Sequence, residues 1–131
     1  GIGADELQAL LSGVKEFMNG EILGTGKYIR NFSAGNKQKI GIISALIGRP
    51  ELLILDEPFN FLDPTGQEYL KKILTGYNKE NNATIIVSSH NLQHVAEISS
   101  RILVMETGHI IKDINNVSSS AIDELNDYFS V

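Results

Sequence analysis

Apolar positions along this chain recur first at helical spacing and later in short unbroken runs. Leu7, Leu10, Leu11, Val14, Phe17 and Met18 fall on one side of a 3.6-residue period, which predicts an amphipathic helix from about Ala4 to Met18. Its stripe reads as core, with a docking surface as the equal alternative. Asn19-Gly20 ends that helix, and Gly24-Thr25-Gly26 reads as loop. Ser33 is a good N-cap for a second helix carrying Ile40, Ile43 and Ile47, stopped by Gly48-Arg49-Pro50.

From Leu52 the pattern changes. Leu52-Leu53-Ile54-Leu55 is wholly apolar, the signature of a strand buried on both faces, and Thr84-Ile85-Ile86-Val87 repeats it. Between them a turn with Pro58, Asp63 and Pro64 leads into a helix over about Thr65 to Lys79, ended by Asn81-Asn82. Asn91 to Ile98 is predicted helical. Ile102–Met105 and His109–Lys112 flank Glu106-Thr107-Gly108 as a strand pair with a tight turn. Ser119 or Ser120 can cap a last helix bearing Ile122, Leu125 and Phe129. Strands alternating with helices predict a layered α/β fold with a mainly parallel sheet.

Composition narrows the class. With 131 residues, 42% hydrophobic and 21% charged, the chain suits one domain with a sizeable core. A net charge of −5 supplies no general attraction for nucleic acid, and none is expected as a partner. The absence of cysteine excludes disulfide scaffolds and thiol catalysis and fits a reducing compartment. The longest nearly apolar run, Ile40 to Gly48, is too short to span a bilayer, and no signal segment is recognisable. A soluble, intracellular protein is expected, and a Gly-Ile-Gly start suggests a processed product or a piece of a longer one.

Candidate chemistry gathers at two places. Asp56 and Glu57 directly follow the first apolar run, where parallel sheets collect functional groups. One carboxylate there can hold a Mg²⁺ shell, which needs only one or two protein carboxylates, while its neighbour addresses a water. The four apolar residues before the pair and Pro58 after it favour this over a solvated acidic turn. The Ser33 helix start offers unpaired backbone N–H groups and a favourable dipole to a phosphate, and Gly35 admits close approach. Taken on its own, Ser33 reads as a plain N-cap. His90, after the second run, is placed to contact a terminal phosphate or the attacking water, a structural turn being the alternative.

Four segments in register carry a family resemblance. FSAGNKQKI resembles the signature motif of ATP-binding-cassette (ABC) ATPases, and LLILDEP their Walker B strand with its glutamate. FNFLD resembles the D-loop, and SSHN the switch-histidine loop; the likeness extends from Phe32 to about Lys112. It implies a P-loop NTPase-like, three-layer α/β fold, here incomplete. Residues 1–50 would belong to the helical subdomain and residues 51–131 to the ATPase core. It further implies that Asp56 coordinates Mg²⁺, that Glu57 is the general base, and that His90 contacts the γ-phosphate of ATP. Ser33, Ala34, Gly35 and Asn36 would reach ATP held by a second ATPase subunit, and Asp63 would link the two sites. The implied partners are that subunit, in a homo- or heterodimer, and a transmembrane permease holding the protein at the inner face of the cell membrane.

Departures and gaps matter as well. Phe32, Ala34 and Asn36 replace the family's usual Leu, Gly and Gln. Gly24-Thr25-Gly26-Lys27 has the ending of a P-loop, but Tyr28 follows it and Glu21 stands where the first glycine belongs. His90, His94 and Glu97 have a spacing that suits a metal, yet the switch motif already explains His90, and His94 reads as a solvent-side helix residue. No Walker A loop, adenine-stacking aromatic or Q-loop glutamine is recognisable, so the chain reads as the later part of a longer ATPase domain. The resemblance implies ATP hydrolysis powering an ABC transporter, with Lys37-Gln38-Lys39 and Asp63-Pro64 similar to exporter-type members. Alternatives are a soluble ABC protein of the ribosome, suggested by Asn60, and a non-catalytic fragment. DNA-repair members would carry a long heptad segment, which is not seen.

Overall fold

The computed structural model describes Phe17, residues 33–115 and residues 117–129. Ser33 caps α1 (Ala34–Ile47), its hydroxyl accepting from the Asn36 N–H at 3.2 Å. Strand β1 (Leu52–Asp56) follows, and then the Glu57–Leu62 turn. Helix α2 (Pro64–Asn81) is capped by Asp63, which accepts from the Gly66 N–H at 2.7 Å, with Pro64 where a missing donor costs nothing. Asn82 closes α2 in the left-handed conformation at φ 50°. β2 (Thr84–Ser88), α3 (Leu92–Ile98), β3 (Ile102–Glu106), β4 (His109–Ile114) and α4 (Ser119–Phe129) complete the chain. The cap of α4 is Ser118, whose hydroxyl accepts from the Ala121 N–H at 3.3 Å, not Ser119 or Ser120.

β1 and β2 pair in parallel, setting Leu53 opposite Ile85 and Asp56 opposite Ser88. β3 and β4 form a separate antiparallel hairpin, with Glu106 opposite His109. Thr107 (φ 48°) and Gly108 (φ 80°) give its two-residue loop the paired positive φ that matches strand twist.

The main core lies between the parallel pair and its helices. Ile42, Ile43 and Leu46 of α1, Leu53 of β1, and Leu70 and Leu74 of α2 are all buried there, with Phe59 and Leu62 from the intervening turn. Tyr77 Oη donates to the Pro50 carbonyl at 2.6 Å and Asn78 Nδ2 to the Ala83 carbonyl at 2.7 Å, locking α2 to the start of each strand. Phe17 is 2% exposed in this core, and the Lys39 ammonium lies 5.5 Å from its ring centroid. At that position the predicted apolar stripe is core; the rest of the Ala4–Met18 segment lies outside the described residues. A second cluster joins Ile102 and Val104 of β3 to Leu125 of α4.

The strands differ from expectation in one respect. Leu53 is buried, but Leu52 and Ile54 are 52% and 65% exposed, and Ile86 is 52% exposed. The strands alternate because α1 and α2 cover a single face of the pair among the described residues, so a run apolar on both sides is buried on one.

Candidate active site

The two parallel strands end together, and their register brings Asp56 and Ser88 side by side. The Ser88 hydroxyl donates to Asp56 Oδ1. It also accepts, at 3.3 Å, from the Glu57 N–H, whose main partner is the Ser88 carbonyl at 2.8 Å. Glu57 adopts φ 49°, the left-handed region in which a non-glycine residue is strained. This turns the chain sharply, so that Asp56 stays in line with its strand while the Glu57 side chain swings toward the β2 exit.

There it meets His90. Glu57 Oε1 accepts from the His90 backbone N–H at 3.1 Å and lies 2.9 Å from His90 Nδ1. The His90 side chain is 81% exposed and that of Glu57 31%, so the pair faces solvent from a partly sheltered base. Both contacts use Oε1, which leaves Oε2 without a protein partner among the described residues. Asp56, Glu57, Ser88 and His90 therefore form one cluster of oxygen and nitrogen donors at a shared strand end.

The residues around Ser33 at the start of α1 sit apart from this cluster but remain tied to its loop. Among the described residues the bonds of Ser33 stay within α1, its hydroxyl capping Asn36 and its carbonyl accepting from Lys37 at 2.9 Å. Ala34 is exposed in the first turn. Gly35 packs against the Phe61 carbonyl so closely that a Cβ would lie 2.6 Å from that oxygen. Phe61 is itself at φ 66°, and Asp63, two residues on, is engaged as the α2 cap. Three residues further into α1 than Gly35, Gln38 Nε2 donates to the Glu57 carbonyl at 3.1 Å.

Comparison with known proteins gives the family and the fold. Residues 23–96 match a family described as "AAA domain, putative AbiEii toxin, Type IV TA system". The bacitracin transport ATP-binding protein BcrA of Enterococcus faecalis is 41% identical over 108 residues, 79% of this chain and 34% of that protein. The BcrA of Bacillus licheniformis is 40% identical over 98 residues, 72% of this chain and 32% of that protein. The dimeric structure of MJ0796, a bacterial ABC transporter cassette, matches with a TM-score of 0.69 at 21% identity, covering 86% of this chain and 48% of that one. The chain belongs to the AAA-domain family, as an ATP-binding-cassette (ABC) ATPase. It has the α/β fold of an ABC cassette in incomplete form, and it spans about a third of the length of the curated relatives it matches.

In this ABC chain His94 does not face solvent as its sequence position suggested. Its ring stacks on Phe59, with centroids 4.6 Å apart, and its Nδ1 is buried with no hydrogen-bond partner among the described residues. Burial and, after it, the Lys71 ammonium hold its pKa below the ordinary value of 6.5, against the opposing pull of Glu97 and Glu68. Lys71 is buried too; burial lowers its pKa, but its hydrogen bonds to Glu97 (2.5 Å) and Glu68 (2.9 Å) outweigh this and raise it. His90 and His94 thus have separate surroundings, one on Glu57 and the other on Phe59.

A native state that prefers neutral His94 holds its full share of stability above about pH 6.5, where the unfolded imidazole is also neutral. That share is lost as the pH falls from there through the lowered native value. Urea midpoints at pH 7.5 and 5.5 are expected to differ more for the wild-type chain than for His94→Gln. An equal difference would assign the acid limb to other groups. Glu97, held low by its hydrogen bond to Lys71, loses its contribution only at more acidic pH.

Ser88 and Gln38 carried no individual role in the sequence. Ser88 becomes legible once the register is known, since it is the residue opposite Asp56. Gln38 gives no such signal, because only the packing of α1 shows which loop its amide reaches.

Proposed function

We propose that this chain is the signature-to-switch part of the ATP-hydrolysing subunit of an ABC transporter, of exporter type. One observation carries the reading: Asp56, Glu57 and His90, separated by up to 34 positions, meet at the shared end of two parallel strands, with Glu57 Oε1 on His90. In this reading residues 1–50 belong to the helical subdomain and 51–131 to the ATPase core. Glu57 Oε2 takes the proton of a water attacking the γ-phosphate, while His90 orients Glu57 and reaches that phosphate through its exposed edge. Ser33, Ala34, Gly35 and Asn36 address ATP held by a second ATPase subunit, and Asp63 sets the loop between the two sites. The dimeric state of the MJ0796 cassette supports the two-subunit arrangement. The names of the BcrA relatives, bacitracin transport ATP-binding proteins, support a role in transport. In this reading the subunit works with a transmembrane permease at the inner face of the cell membrane.

The donor set fits Mg²⁺. No group of three or more His, Cys, Asp or Glu side chains that could hold a metal occurs among the described residues, so no all-protein cage is offered. A single carboxylate beside a hydroxyl, both hard oxygen donors, suits an ion that keeps most of its shell as water and phosphate. Asp56 would hold it, and the ion would supply charge neutralisation to the phosphates. The test is ATP turnover by the complete subunit. Hydrolysis is expected to stop on chelation of Mg²⁺ and to fall at least about tenfold in Asp56→Asn, whose amide still accepts from Ser88 but carries no charge. Turnover indifferent to both would overturn the reading.

A further inference from the structure

Glu57 presents a problem of support. Its left-handed backbone must be held by its surroundings, and its side chain is useful only if the following peptide stays fixed. The N–H is secured by Ser88, which belongs to the neighbouring strand. The carbonyl accepts from the Asn60 N–H at 3.2 Å, inside the same turn and free to move with it. Among the described residues the carbonyl's one partner from another element is Gln38 Nε2, at 3.1 Å and part-buried.

We propose that Gln38 is a positioning residue that holds the Glu57 peptide and makes its placement depend on α1. This rests on the ATPase reading above. A second contact makes the link stiff, because Gly35, one turn earlier on the same helix face, is seated on the Phe61 carbonyl. Helix α1 thus grips the carboxylate loop near both ends, at Glu57 and at Phe61. Gln38 lies five residues from Ser33, about 7.5 Å along a rigid helix, so a small displacement of the helix start reaches the Gln38 amide undiminished. The half-site facing a partner's ATP and the half-site facing the chain's own ATP then share one lever.

Gln38→Met keeps the length of the side chain and removes its donor. In the complete subunit, kcat is expected to fall about tenfold, with KM for ATP within twofold of wild type and the melting temperature nearly unchanged. The ¹⁵N resonances of the His90 ring, which report the Glu57 contact, should shift in the same variant. Gln38→Lys, which restores a donor of similar reach, should recover part of the loss. Wild-type kcat in Gln38→Met overturns the assignment, as does a loss of stability with no kcat effect beyond it; both leave the ATPase reading standing. Absence of hydrolysis by the wild-type subunit overturns both.

Discussion

Glu57→Gln is expected to lower ATP turnover by the complete subunit by a factor of about 10²–10⁴, the range that general-base catalysis supplies, while ATP affinity stays within a few-fold of wild type. The geometry explains why the two effects separate. The glutamine oxygen can still accept from the His90 N–H, as Oε1 does at 3.1 Å, and the Glu57 N–H and carbonyl keep their bonds to Ser88 and Gln38. What disappears is a basic oxygen, Oε2, that can take a proton from water. Since only the transition state uses that interaction, kcat falls and binding does not. On the proposed two-subunit reading, blocked hydrolysis would leave ATP between the subunits, so ATP should drive the variant into a dimer on gel filtration while the wild type returns to monomer. Normal turnover by Glu57→Gln would end the general-base assignment. A parallel collapse of ATP binding would indicate that Glu57 serves the fold.

Much of this site was legible because its residues stand at fixed offsets from strong local signals. An apolar run followed by Asp56-Glu57-Pro58 marks a strand end, and Ser33 before a helical pattern marks a cap. Those signals need no knowledge of packing. Burial of the strands was misjudged for the opposite reason. Leu52, Ile54 and Ile86 are apolar, but exposure depends on what lies over them, and within one segment nothing records that. His94 shows the same limit: helical spacing cannot foresee that Phe59, from a distant turn, will stack on its ring. Both the fold class and the Asp56–Glu57–His90 cluster follow from sequence order, whereas the contacts that hold the cluster in place, Gln38 above all, arise only in three dimensions.

Gly35→Ala is expected to reduce turnover about 100-fold, the scale of loss from misplacing reacting groups by about 1 Å, and to destabilise the chain by about 1–3 kcal/mol, as overpacking does. An added Cβ would lie 2.6 Å from the Phe61 carbonyl oxygen, and carbon approaches such an oxygen to only about 3.3 Å, so helix and loop must part by roughly 0.7 Å. The loop is poorly able to yield. Phe61 is held at φ 66°, where a bulky residue has little freedom, and Asp63 just beyond it is committed to capping α2. Helix α1 must therefore retreat, taking the Ser33 start and the Gln38 donor with it. Two further variants separate this from a generic loss of folding. Gly41→Ala makes the same change further along α1, where an added Cβ meets nothing within 4 Å, and should leave turnover within twofold while stability holds or rises by up to about 1 kcal/mol. Phe61→Gly combined with Gly35→Ala frees the loop to move instead of the helix, so it should recover a large part of kcat. Recovery of stability without kcat would place the rate loss in the added methyl itself at the ATP-facing position, whereas recovery of both would show that the spacing between α1 and the Glu57–Phe61 loop sets the rate.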